Sequence, residues 1–183
     1  HNFLKIENGY ITTLHPWLSY QNLMDGPSSS WAVPGEIYHH YALGRSVIGN
    51  LIPKPTSAVD VTFKSFNEIS RNKIGSFSYR TPTSIVCSAD ISLNVKTKTT
   101  KEEIRKYFYN IQSNQKFDIF NNSVEPIVSL DILKSKYSCT VDHRWTEVID
   151  DKLIKLVLWY DNEWGYSSRV IDAINFTHNK IHE

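Results

Sequence analysis

Cysteine is scarce in this chain of 183 residues: Cys87 and Cys139 are the only two. Two thiols cannot build a disulfide scaffold, and a reducing cytosol is the default compartment for such a sequence. Neither sign of charge dominates, with 20 basic residues against 19 acidic ones and a net charge of +1. The charges are interspersed, so nothing marks a nucleic-acid or membrane partner. No apolar run approaches the roughly 20 residues that a spanning helix needs. Repeats and low-complexity tracts are missing as well. The chain opens on His1 without signal-peptide features, which reads as a fragment cut from something longer. A Gly-rich strand–turn–helix fingerprint is also lacking, so the chain carries no dinucleotide-binding half of its own.

What is present suits one domain, 1–183, with a sizeable single core. Tyr10 to Leu14 reads as a buried strand ending at His15, followed by a Ser-, Pro- and Gly-containing loop to about Gly44. Ser57 with Asp60 matches a capping box, and Val59, Phe63 and Phe66 recur behind it at helical spacing. From Ile85 to Val95 every second residue is apolar, the mark of a half-buried strand. Cys87 lies on that apolar face and reads as a core filler rather than a nucleophile. Thr100 with Glu103 forms a second capping box ahead of Ile104, Phe108 and Ile111. Strands are predicted at 127–132, 138–142 and 153–160. A closing helix should turn Tyr166, Val170, Ala173 and Ile174 inward. Several consecutive strands with few crossover helices predict an α+β fold: a mixed, largely antiparallel sheet with helices on one face.

Certain segments exceed what a core requires. Trp159 to Arg169 reads WYDNEWGYSSR, a strand end, an Asp-Asn-Glu turn and a helix start. Asp161 can cap that helix while Tyr160 and Trp164 pack, or Asn162 can present its amide to a flat polar ligand. His15 ends a strand and can be either a hydrogen-bonded structural histidine or a proton-transfer group. The histidines at 39 and 40 lack the partners of a metal site, and a solvated loop accounts for them.

Taken in order, GYITTLH (residues 9–15), DGP (25–27), the Asn50-x-Ile-Pro-x-x-Thr56 stretch, RTPT (80–83) and WYDNEWGYSSR resemble the C-terminal catalytic domain of phosphorylating glyceraldehyde-3-phosphate dehydrogenases. The related erythrose-4-phosphate dehydrogenases share the pattern. The resemblance covers nearly all of the chain. It implies that His15 is the base, keeping a catalytic thiol ionised and then taking the proton as hydride leaves. Arg80 matches a phosphate-binding arginine, and Thr56 and Ser57 match an anion-binding Thr-Gly pair at a helix start. Asn162 matches the residue that holds the nicotinamide carboxamide, and Tyr166 the aromatic beside that ring. Implied with them are NAD or NADP as cofactor, a sugar-phosphate aldehyde and inorganic phosphate as partners, a cytoplasmic setting and a homo-oligomer, tetrameric in the family. The family's nucleophilic cysteine precedes the TTxH strand, and neither Cys87 nor Cys139 matches it. The fragment alone is therefore expected to be inert.

Departures from the pattern are equally specific. Ser57 replaces a glycine, and Leu18 stands where the family usually has a phosphate-binding threonine. An Arg-rich run is reduced to Arg45, and the loop between Asp25 and Arg45 is longer than usual. These changes leave room for an erythrose 4-phosphate substrate, or for a diverged, non-catalytic assembly or partner-binding domain.

Overall fold

The computed structural model describes residues 3–19, 21–27, 29–33, 36–39, 41–65 and 68–182. Among the described residues there are ten strands and three α-helices. They are β1 (Ile6–Pro16), β2 (Ser29–Val33), β3 (Glu36–His39), β4 (Ile52–Lys54), α1 (Ala58–Ser65), β5 (Ile74–Thr81), β6 (Cys87–Val95), α2 (Lys101–Asn114), β7 (Phe120–Ser123), β8 (Cys139–Asp142), β9 (Glu147–Ile149), β10 (Leu153–Tyr160) and α3 (Asn162–His182).

Eight strands make one open sheet in the order β4-β5-β1-β6-β10-β8-β7, with β9 pairing β10. Two pairings are parallel, β1 with β5 and β7 with β8, and the others are antiparallel. The expected mixed, largely antiparallel α+β architecture is thus present.

Alternation decides which residues meet. Val95, Ile154, Leu156 and Val141 share one face and enclose Ile104 of α2, which is 0% exposed. The helix is set there by Thr100, whose side chain accepts from Glu103 N while Glu103 reaches back to Thr100 N. On the opposite face Tyr10, Phe77 and Tyr79 form an edge-to-face row with centroids 6.0 and 4.9 Å apart. Gly75 makes this row possible, because a Cβ there would collide with the Tyr10 ring. Tyr10 stays 50% exposed. β1 is therefore longer and wetter than the buried strand expected, with Thr13 its one buried residue among those described.

Other expectations need correction. The segment 127–132 is no strand: Ser129–Ile132 is a 3-10 turn, started by Asp131 accepting from Val128 N, and Val128 and Leu130 are exposed. Its apolar residues mimic a strand, but the local carboxylate gives the backbone a competing partner. Strands β7 and β9 lie where none was predicted, and each is short. At the start of α1 the hydroxyl of Thr56 accepts from Ala58 N, while Asp60 pairs with Arg71. Val59 is buried as expected, and Phe66 lies outside the described residues.

The closing helix is reversed relative to expectation. Tyr166, Val170, Ala173 and Ile174 face outward, while Gly165, Ser168, Arg169 and Asp172 face the body. A Cβ at position 165 would lie 3.1 Å from Tyr137 O, so the first turn packs tightly against that backbone and a larger residue would crowd it. Arg169 Nη1 donates to Asp118 O at 2.9 Å and Ser138 Oγ at 3.1 Å. Hydrogen bonding to a neighbouring segment, rather than apolar area, orients this helix.

The long loop has internal order. Its neck is closed by Gly26 N donating to Gly44 O and Val47 N to Asn22 O. Asp25 accepts from Arg45 Nε at 3.2 Å and Ser46 N at 2.7 Å. Beyond the neck, β2 and β3 pair as an antiparallel ribbon. His40 lies outside the described residues.

Candidate functional site

The C-terminal ends of β1 and β5 meet the starts of β6 and α3 at one end of the sheet. Because β1 and β5 are parallel, His15 is registered opposite Arg80. The antiparallel register of β1 with β6 carries His15 toward Cys87, and that of β10 with β6 pairs Cys87 with Tyr160. Four chemically distinct side chains are thereby gathered by backbone pairing alone.

His15 is partly buried and bonded through both ring nitrogens. Nε2 lies 3.1 Å from Thr13 Oγ1, and Nδ1 lies 3.3 Å from Cys87 Sγ. Whichever nitrogen carries the proton donates, and the other accepts. Tyr160 meets the imidazole edge-on at 6.2 Å and 81°. Burial is the main cause that lowers the His15 pKa from 6.5 to about 4, with the positive charges of Arg80 and Lys54 adding to it. The ring is consequently neutral at pH 7, a proton acceptor rather than a cation.

Cys87 links the two motifs found in the sequence. Its thiol lies 3.3 Å from His15 Nδ1, and the Asn162 side chain is near enough to lower its pKa. It is 1% exposed, and burial pushes it up to about 12 against the opposing pull of Arg80 and Asn162. A thiol so placed is packing and contact, not a nucleophile. The same holds for Cys139, which burial raises to about 11. The residue before Cys87 is Val86 at φ 69°, a conformation that strains a β-branched side chain. This residue immediately precedes β6, which begins at Cys87.

Arg80 and the turn after it brace the end of β1. Arg80 Nη1 donates to Pro16 O at 3.0 Å, and Thr81 Oγ1 donates to His15 O at 3.0 Å. Trp17 N donates to Thr83 O at 3.2 Å. At the α3 start, the buried Asp161 carboxylate accepts from Glu163 N, Trp164 N and Lys134 N. Capping and presentation thus coexist: Asp161 holds the helix while Asn162 reaches the site.

His15, Arg80 and Asn162 come together around Cys87. Tyr166 lies one turn beyond Asn162 and is 72% exposed. Thr56 and Ser57 stand at the α1 start, two and three residues past Lys54, and the Thr56 hydroxyl is engaged with Ala58 N. Leu18 is on the exposed surface, its N–H donating to Gln21. Sequence reasoning missed Lys54, Tyr160 and Val86 at this site and read Cys87 as core alone. The Ile-Pro-Lys alternation of residues 52–54 held a signal for Lys54. The long-range pairing that brings Cys87 to His15 left no local trace.

Residues 1–162 match the family model described as "Glyceraldehyde 3-phosphate dehydrogenase, C-terminal domain". The cytosolic glyceraldehyde-3-phosphate dehydrogenase of Chlamydomonas reinhardtii is 34% identical over 167 residues, covering 91% of this chain and 46% of that relative. The Glossina morsitans morsitans enzyme is 31% identical over 180 residues, 98% of this chain and 51% of its own length. Glyceraldehyde-3-phosphate dehydrogenase 2 of Bacillus subtilis is 31% identical over 169 residues, 92% of this chain and 46% of its own. The α+β fold agrees with that of the family's C-terminal domain. The chain belongs to the glyceraldehyde-3-phosphate dehydrogenase family, as its C-terminal domain. It spans about half the length of the curated relatives it matches.

Proposed function

We propose that this chain is the catalytic domain of an NAD(P)-dependent phosphorylating glyceraldehyde-3-phosphate dehydrogenase. The observation that carries this reading is the meeting of His15 and Asn162 on Cys87, beside Arg80. In the reaction, His15 takes the proton of a cysteine thiol, and the thiolate attacks the aldehyde carbon. The resulting oxyanion takes that proton back to become a hydroxyl, and a hydride then leaves the same carbon. His15, neutral and backed by Thr13, accepts the hydroxyl proton as the carbonyl re-forms to give a thioester. Phosphate attacks the thioester, the acyl phosphate departs and thiolate returns. We assign the nucleophile to the half of the protein outside this chain, since Cys87 and Cys139 are buried thiols with raised pKa values.

Arg80 serves the phosphate, because a guanidinium offers two parallel charge-assisted hydrogen bonds. Thr56 and Ser57, at the start of α1, complete the anion-binding end. The residues of the α3 start fit a nicotinamide: an exposed carboxamide at Asn162 supplies both donor and acceptor, and Tyr166 offers a flat ring. When bound, the cofactor supplies the hydride-accepting ring, and NAD and NADP both fit this end of the site. The dinucleotide-binding half is expected in the remainder of the protein, which would cover the outward apolar side chains of α3.

We further infer a cytoplasmic homo-oligomer, tetrameric as in the family, joined through the sheet face that carries Tyr10, Phe77 and Tyr79. Leu18 favours erythrose 4-phosphate as a second candidate substrate, since it removes a hydroxyl from the phosphate end. An assay of the intact protein with each aldehyde, NAD or NADP and inorganic phosphate tests these readings together. Reduction of nicotinamide dependent on phosphate and on glyceraldehyde 3-phosphate is expected. Silence with both aldehydes and both cofactors would overturn the enzyme reading and leave a non-catalytic assembly or partner-binding domain.

A further inference from the structure

We propose that Lys54 is a phosphate-binding residue, forming with Arg80 a two-cation seat for a phosphate monoester or free phosphate. This rests on the site reading given under Proposed function. The seat is built by register. In the β4–β5 pair Ile52 is opposite Arg80 and Lys54 is opposite Ser78, so Lys54 and Arg80 project from the same face of the sheet. His15 is opposite Arg80 on the other side of β5, which puts the imidazole on that face too. Ser78 Oγ donates to Lys54 O at 3.4 Å and ties β4 in place.

Charge gives the second argument. Burial is the main cause that lowers the Lys54 pKa, and repulsion by Arg80 adds to it. Both cations also lower the pKa of His15. Neither cation forms an ion pair with a carboxylate among the described residues. Two neighbouring, partly buried cations without a carboxylate partner among the described residues carry a standing cost, and an anion between them removes it. A phosphate matches the pair well: the arginine fork takes two oxygens while the ammonium supplies a compact charge. The dehydrogenase pattern Asn-x-Ile-Pro-x-x-Thr leaves position 54 unspecified, so the resemblance by itself assigns the lysine no role.

The test uses the intact protein with Lys54→Gln, Lys54→Met and Lys54→Arg. Inorganic phosphate and glyceraldehyde 3-phosphate are titrated separately by calorimetry, and the His15 ring protons are followed by NMR. Loss of one charged hydrogen bond predicts that Gln and Met weaken binding roughly 10- to 100-fold, with Arg restoring most of it. Their unfolding midpoints should equal or exceed that of the parent, because like-charge repulsion is relieved. Bound phosphate should raise the His15 pKa in the parent and less so in Lys54→Gln. Weakening of the ester alone assigns the seat to substrate, weakening of inorganic phosphate alone assigns it to the attacking anion, and weakening of both makes it shared. Tight phosphate binding by all variants would overturn the Lys54 assignment and leave the dehydrogenase reading standing. A parent that binds neither anion would end both.

Discussion

His15 and His143 have the same depressed pKa, about 4, for nearly the same reasons: burial comes first and a nearby arginine second. Their surroundings differ in what is left over. His143 is 0% exposed, with Nε2 2.8 Å from Asn122 Oδ1 and Nδ1 2.9 Å from Thr146 Oγ1. Phe108 and Tyr109 wall the ring in, and its carbonyl accepts from Arg105. Short, strong hydrogen bonds satisfy it within a closed network. His15 instead ends a strand, is partly exposed, and faces two cations that form no ion pair with a carboxylate among the described residues. A depressed histidine pKa therefore marks burial, not function. Access and uncompensated charge separate the site from the scaffold.

The sharpest way to test this contrast is to exchange the consequences of losing each ring. In the intact protein, His15→Asn should cut turnover roughly 10²- to 10⁴-fold while the unfolding midpoint moves little. His143→Asn should show the opposite, a clear drop in midpoint with the turnover of the folded fraction retained. Equal effects on turnover would dissolve the distinction.

A smaller effect is expected from pH. The folded pKa of His143 lies below its unfolded value of 6.5, so the unfolded chain binds more protons between pH 6.5 and about 4. Its stabilising contribution is full above pH 6.5 and is lost as pH falls through that window, by about 3 kcal/mol. Urea unfolding of the parent and of His143→Gln across this range should converge at low pH.

Asn122→Ala leaves His143 Nε2 without its partner in a closed site, and a cost of about 1–3 kcal/mol is expected by the same measurement. The smallest change should come from Arg80→Gln. Removing that charge should raise the His15 pKa from about 4 and leave His143 where it is, as read from the two sets of imidazole resonances by NMR.

Legibility in the sequence followed the range of the interactions. Helix α2 was readable because its signals are local: Thr100 and Glu103 are three residues apart, and Ile104 and Phe108 repeat at the helical period. β10 was readable because 153–160 is apolar with β-branched residues and ends in a capping Asp161. The segment 127–132 misled, since an Asp131 side-chain bond outweighs β-forming composition there. Helix α3 misled more, because its inner face is polar. A periodicity argument assigns the apolar side inward unless Arg169 can be seen donating to Asp118 and Ser138. At the site, His15, Arg80 and Asn162 stood out through their motifs. Cys87, Lys54 and Val86 did not, because their meaning depends on which strand lies opposite.

By itself the sequence determined the family, the α+β class, the caps of its local helices and the residue types available for proton transfer and anion binding. Each of those follows from spacing within a few turns or from motif order. Only the tertiary structure decided that His15 is neutral, that Cys87 joins it to Asn162, and that Lys54 stands with Arg80 on one face. Those outcomes come from strand register and burial, which couple residues dozens of positions apart.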